Sequence, residues 1–341
     1  VDSPWTVRRI LSWTAQDFAS RGLPSPRLDA EVLLAHALGA DRVRLYLDLD
    51  RELGEDELAA MRALVARRRA REPVAYLVGR REFYGRPFSV SPAVLVPRPE
   101  TETLVERALT LLPPGRPARV LDLCTGSGAI GLTLLAERPE LRADLSDVSA
   151  AALGVARANA LALGVADRAR LFEGDLFEAL PVPCPAADRY DLVVANPPYV
   201  AERDAPSLDP DVVSFEPRVA LFAGEDGLAI IARLVRGAPA WLVPGGTLLV
   251  EIGASQGEAA RALARSSGGW SHVAVLQDLG RRDRVLEARA PGGEAEAPSP
   301  SPARDGLSPA PPERVVVPDV VALDVDAIVG ERVLVPEDDG A

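Results

Sequence analysis

The chain has 341 residues, a formal net charge of −12 and 48% hydrophobic residues, enough for two domains with sizeable cores. All 38 basic residues are Arg against 50 acidic ones, so a basic face for duplex phosphates is not expected. Two cysteines (Cys124, Cys184) and two histidines (His36, His272) allow neither a metal-ligand spacing nor a disulfide framework, and no apolar run reaches the ~18 residues of a membrane span.

The opening Val1 to Arg9 has no signal-peptide pattern, and the lack of a disulfide framework fits a reducing cytosol, so a cytoplasmic site of action is expected. Residues 1–72 read as a helical domain. Leu28, Val32, Leu33, Ala35, His36 and Leu38 recur at helical spacing before Gly39, and Glu55 to Arg71 forms a second amphipathic stretch on Leu58, Met61, Leu64 and Val65. Its polar face ends in Arg67, Arg68, Arg69 and Arg71. That run is either a solvated helix end favoured by the macrodipole or a contact for RNA or an acidic partner.

Residues 73–96 change character. Val74 to Val78, Arg81 to Tyr84 and Phe88 to Val96 are short strand-like runs broken by Gly79, Gly85 and Pro87, and they predict a β-hairpin linker. Pro97-Arg-Pro-Glu-Thr-Glu then opens a helix with Pro99 near its first turn.

Residues 97–290 carry the third predicted unit. Strands over Arg119 to Leu123, Leu141 to Ser146, Ala169 to Phe172, Asp191 to Ala195 and Gly246 to Ile252 alternate with helices over Gly128 to Arg138, Ala150 to Leu163 and Gly227 to Val243. Such alternation predicts an α/β fold with a mostly parallel sheet, helices on both faces, and ligands at the carboxyl ends of the strands. Residues 291–341 hold eleven acidic residues against three Arg and begin with a Pro-rich stretch, so a largely disordered acidic tail is expected. His36 and His272 read as structural.

Three strand tips suggest a cofactor site. The strand Val120 to Leu123 runs into Cys124, Thr125, Gly126, Ser127 and Gly128, a turn whose glycines let backbone approach a ligand. Dinucleotide-binding enzymes use a similar turn, so this segment alone is not specific. Asp147 ends the next strand, where a carboxylate can accept from both ribose hydroxyls, and is preferred to Asp144. Asp175 and Leu176 follow the third strand, and a carboxylate there can accept from an adenine amino group. Each acid taken singly is equally readable as a solvated loop residue.

The fourth tip, Asn196-Pro197-Pro198-Tyr199, points to catalysis. A planar amide or amino-purine nitrogen has a delocalised lone pair and must be held to aim density at an electrophilic methyl. The Asn196 side-chain oxygen can accept one N–H and the Pro197 carbonyl the other, while the prolines stiffen the loop and Tyr199 offers an aromatic face. No His or Cys stands where it could act as base or covalent nucleophile.

With those residues in view, the chain resembles the HemK/PrmC peptide chain release factor glutamine N5-methyltransferases. The resemblance rests on Asn196 to Tyr199, Asp122 to Gly128 and Pro97 to Glu102. It extends to Pro73 to Gly85, Phe215 to Leu228 and Asp278 to Val285, and it spans roughly residues 5–289. It implies a class I S-adenosylmethionine-dependent fold, Rossmann-like with a seven-stranded sheet. It implies S-adenosyl-L-methionine as methyl donor, held by Cys124 to Gly128, Asp147, Asp175, Leu176 and Asn196. The implied substrate is the Gln of the Gly-Gly-Gln motif in a class I release factor, gripped by Asn196 to Tyr199, with the helical domain and Arg67 to Arg71 helping to hold it. Cys124 departs from the pattern, since the family often has Gly there. Rival readings are a glutamine N5-methyltransferase of a ribosomal protein, an adenine N6-methyltransferase of DNA or RNA, and a non-catalytic module on the same fold.

Overall fold

The computed structural model describes residues 4–181 and 186–292. The expected tail therefore lies, from residue 293 on, outside the described residues, as does Cys184.

The first segment is helical. It comprises α1 (Val7–Ser20), α2 (Pro26–Ala37), α3 (Arg42–Leu47), α4 (Glu55–Arg69) and α5 (Val74–Val78). Thr6 caps α1 and Asp41 caps α3 by accepting from the backbone three residues on, the usual use of these side chains at a first turn. Val7, Phe18, Leu33, Leu34, Leu45 and Met61 meet in one buried cluster, so each helix contributes a single apolar stripe to a shared core.

Two expectations for the linker need correction. Val74 to Val78 is a helical turn rather than a strand: Pro73 stands at its N-cap and Gly79, at φ 73°, ends it in the left-handed region. Phe88 to Val96 is not a strand throughout. The hairpin is β1 (Arg80–Phe83) with β2 (Arg86–Ser89), after which the chain turns.

The remainder builds the α/β unit from α6 (Glu102–Leu111), β3 (Ala118–Leu123), α7 (Ala129–Glu137), β4 (Leu141–Asp147), α8 (Ala150–Ala162), β5 (Ala169–Glu173) and β6 (Tyr190–Ala195). It continues with α9 (Pro210–Phe215), α10 (Ala229–Gly237), β7 (Leu242–Glu251), α11 (Gly257–Ser267), β8 (His272–Gln277) and β9 (Asp283–Arg289). The predicted helix over Gly227 to Val243 ends early, because a short 3-10 turn carrying Pro239 follows Gly237 and the next strand starts at Leu242.

The sheet has seven strands in the order β5-β4-β3-β6-β7-β9-β8, with β9 antiparallel to both neighbours and the other pairs parallel. Buried clusters cover its two faces, one containing Leu104, Leu132 and Leu145, the other Leu123, Ile231 and Leu248. That double cover explains the near-continuous apolar runs of β3 and β6. After β3 the chain proceeds outward through β4 and β5, then returns to lay β6 on the opposite side of β3. A crevice opens at that reversal, beyond the carboxyl ends of the strands.

His36 and His272 are both exposed. Among the described residues no helix is long and apolar enough to cross a membrane.

Candidate active site

The loop after β3 is held from below by Asp122. This carboxylate is fully buried, and its Oδ2 accepts from Thr125 Oγ1 at 2.6 Å and from the Gly131 backbone N–H at 2.9 Å. Burial pushes its pKa up to about 7. The two donors thus close a ring from strand to loop to helix, and a Cβ on Gly131 would sit 2.9 Å from the same oxygen. Gly128 caps α7 at φ 81°, where a Cβ would meet Leu132 at 2.5 Å. Cys124 itself has φ 57°, the left-handed region that favours glycine. Its thiol is pushed up by burial and the nearby carboxylates, so it stays protonated at neutral pH.

Asp147 ends β4 facing this loop. Its Oδ2 accepts from the Gly126 N–H at 2.8 Å and its Oδ1 from the Ser149 N–H at 3.0 Å, which orients both oxygens. Burial raises its pKa above the ordinary carboxylate value. Asp144, by contrast, is bound by Arg170 at 2.5 Å and by Tyr190 at 2.7 Å, away from the crevice.

The crevice is a cavity of about 300 Å³. Its walls include Cys124, Thr125, Gly126, Ser127, Asp147, Asp175, Leu176, Asn196 and Pro198. Residues from four separate strand tips therefore line one cavity. Gly128, Pro197 and Tyr199 are not on the walls. Gly128 starts the helix behind the loop, and Pro197 is buried. Tyr199 packs into the sheet's core, with its hydroxyl 3.4 Å from Glu251 Oε1, so its ring is not placed as an open stacking face.

Several residues at the site carried no local signal. Asn159 of α8 donates to the carbonyls of Ser127 and Ser89 at 2.9 and 3.0 Å, tying the loop after β3 to the hairpin. Arg233 of α10 binds Asp175 Oδ2 at 2.9 Å. Gln256 donates to the carbonyls of Tyr199 and Gly227 at 3.0 and 3.3 Å, bracing the Asn196 loop. Thr101 lies at 3.4 Å from Asn196 Nδ2. Glu251, at the end of β7, is 1% exposed and pushed up to about 7 by burial.

The Arg67 to Arg71 run is not a free basic patch. Arg67 pairs with Glu72 and Arg69 with Asp17. Arg71 donates to the Arg21 carbonyl, and the buried Arg68 bridges Asp29 and Asp211. Arg67, Arg68 and Arg69 stand in the last turn of α4, as the helix-end reading expects, with Arg67 largely exposed and Arg68 buried in an internal ion pair.

Residues 9–79 match the PrmC N-terminal domain family, and residues 101–213 match the Methyltransferase small domain. A release factor glutamine methyltransferase of Geobacter sulfurreducens is 43% identical over 285 residues, covering 84% of this chain and 97% of the relative. The chain belongs to the release factor glutamine methyltransferase family. The family enzyme of Cereibacter sphaeroides is 47% identical over 274 residues, 80% of this chain and 94% of its own length. That of Bordetella pertussis is 49% identical over 260 residues, 76% of this chain and 93% of its own. The chain is thus a methyltransferase with the seven-stranded, mostly parallel sheet that the resemblance implied.

The crevice suits a methyl donor bearing a nucleoside and a sulfonium. The oriented Asp147 carboxylate can take a diol, the Gly126 backbone lies open with nothing within 4 Å of a built Cβ, and the acids Asp147 and Asp175 outnumber the single wall cation Arg233, which favours a positive ligand.

Proposed function

We propose that this chain transfers the methyl group of S-adenosyl-L-methionine to the side-chain amide nitrogen of the Gln in the Gly-Gly-Gln motif of a class I peptide chain release factor, acting in the cytoplasm. The observation that carries the reading is the placement of Asn196. It stands at the tip of β6 on the wall of the crevice, with its Nδ2 donating to Thr101 at 3.4 Å and its amide oxygen left as an acceptor.

When bound, S-adenosyl-L-methionine supplies an electrophilic methyl on a sulfonium sulfur. Cys124 to Ser127 and Asp147 hold the donor's nucleoside and amino-acid parts, with Asp175 and Leu176 at the far end of the cavity. Asn196 Oδ1 accepts one N–H of the substrate amide, and the Pro197 carbonyl is the proposed acceptor for the other. Two acceptors in one plane keep that plane fixed and leave the nitrogen's π density facing the methyl. Pro197 and Pro198 limit rearrangement of the loop, and orientation of this kind contributes up to ~7–11 kcal/mol. The nitrogen sheds a proton after it has gained the methyl, so no general base is needed beforehand.

Incubation with labelled S-adenosyl-L-methionine and separate samples of release factor, ribosomal protein and nucleic acid tests the proposal. Label is expected in the release factor. Label in nucleic acid or ribosomal protein alone overturns it. Asn196→Ala is expected to lower kcat roughly 100-fold or more, while donor affinity measured by calorimetry stays within about threefold.

A further inference from the structure

The loop Asn196 to Tyr199 is fixed at its start by the sheet, where Ala195 registers with Leu123 on one side and Val250 on the other. Its far end meets Gln256, the residue that precedes α11. Gln256 Oε1 accepts from the Gly253 backbone N–H at 2.8 Å. Its Nε2 donates to the Tyr199 carbonyl at 3.0 Å and to the Gly227 carbonyl at 3.3 Å.

All three partners are backbone groups, so the Gln256 amide has one possible orientation. The Gly253 N–H can only donate and must meet the oxygen. The two carbonyls can only accept and must meet the NH2, which uses both of its protons. The fit is close. Gly227 is buried at φ 73°, and a Cβ there would stand 2.2 Å from the Tyr199 oxygen and 2.8 Å from Gln256 Nε2. Two carbonyl oxygens thus converge on one NH2, and without its protons their negative ends would face each other unpaired.

The three anchors belong to different parts of the site. Gly253 lies just past β7, the neighbour of β6. Gly227 lies just before α10, which carries Ile230 and Arg233 onto the cavity wall. Tyr199 ends the loop that presents Asn196 and the Pro197 carbonyl. Pro197 and Pro198 have fixed φ, so a shift of the Tyr199 carbonyl is passed back along the loop rather than absorbed in it.

We infer that Gln256 is a positioning residue for methyl transfer: through the Tyr199 carbonyl it fixes the acceptor loop against α10, and so the substrate nitrogen against the methyl. The inference rests on the function proposed above for Asn196 and adds a residue that never touches the reacting atoms. Loss of the brace shifts the loop without unfolding it. The Tyr199 ring stays packed on the core, and Val200 keeps its backbone bonds to Leu221 and Ala223 at 2.9 and 3.0 Å. A misplacement of this kind acts on orientation, and so on kcat more than on binding.

The test uses the whole protein. Gln256→Glu keeps the size and an oxygen for Gly253, but when ionised has no proton for either carbonyl. Gln256→Met keeps the length, makes none of the three bonds and carries no charge, so it decides where the charged variant fails to fold. With S-adenosyl-L-methionine and release factor, each variant is expected to lower kcat about tenfold or more with both KM values within about twofold. Donor affinity by calorimetry is expected within about threefold of the wild type, which also shows the cavity intact. Asn159 and Asn196 are the two asparagines of the sequence, so selective 15N labelling of Asn side chains yields two amide signals. The Asn196 pair is expected to move in both variants, while Asn159, held by Ser89 and Ser127, stays put. Unchanged kcat, a loss carried by KM alone, or an unmoved Asn196 signal overturns the inference. If the wild type leaves release factor unmethylated, the function proposed above falls and the two amide signals alone decide this one.

Discussion

Cys124 is the residue at which chain chemistry and backbone geometry disagree most openly. At φ 57° an L side chain crowds its own carbonyl, at a cost of roughly 1–2 kcal/mol. Glycine would relieve that but enlarge the unfolded ensemble by up to about 1 kcal/mol. Cys124→Gly is therefore expected within about 1 kcal/mol of the wild type by urea unfolding, with donor affinity retained. Cys124→Val, branched at Cβ in the same conformation, should lose about 2 kcal/mol or more. Equal stability of the two variants would show that the left-handed geometry is not maintained in solution.

Asp122 offers a residue-scale test with a definite sign. Its folded pKa, about 7, lies above the ordinary carboxylate value, so the native state binds more protons than the unfolded chain in between. Its contribution to stability is greatest at low pH and is lost as the pH rises from about 4 to about 7. Asp122→Asn keeps an oxygen for Thr125 and Gly131 but cannot titrate. Its unfolding free energy should fall less steeply over that window. Parallel pH profiles for variant and wild type would contradict the burial argument.

At the scale of elements, the strands and their tips were legible because parallel strands covered on both faces must be apolar along their length. β3 and β6 are such runs, and the polar residues that follow them, Thr125 and Asn196, lie on the wall of the crevice. The five apolar residues of α5 were not legible in the same way, since a segment that short fits either period; its flanking Pro73 and Gly79 were the informative signals. Residues that support the site from a distance left no local trace. Thr101 reads as part of a helix start and Glu251 as the polar end of a strand, and only the fold brings Thr101 beside Asn196 and Glu251 beside Tyr199. Asn159, Arg233 and Gln256 sit among ordinary helical neighbours. The ion pairs of Arg68 and Arg69 leave no local trace, because their countercharges, Asp17, Asp29 and Asp211, are far away in sequence.

For the whole molecule, Arg68 is the junction that joins the helical segment to the α/β unit. It donates to Asp29 at 2.8 Å, to the Glu72 carbonyl at 3.1 Å and to Asp211 of α9 at 2.6 Å. The chain beyond α9 is tied in turn by Glu216, which accepts from Arg98 at 2.5 Å and from the Val96 N–H at 3.3 Å. Segment 201–222, which includes cavity-wall residues Pro217, Val219 and Phe222, is thus fastened both to the helices and to the linker. Arg68→Ala would leave the buried Asp29 without its cation and Asp211 with Arg71 at 3.7 Å, and a loss of about 3 kcal/mol in urea unfolding is expected. A loss below about 1 kcal/mol would mean the junction is hydrated in solution.

The central claim, that Asn196 grips a glutamine amide beside an electrophilic methyl, is tested most directly by tandem mass spectrometry of a class I release factor incubated with the protein and S-adenosyl-L-methionine. The account predicts one added methyl, on the side-chain nitrogen of the Gly-Gly-Gln glutamine, present with the wild type and lost with Asn196→Ala. A methyl on any other atom, or one installed equally well by Asn196→Ala, would contradict it.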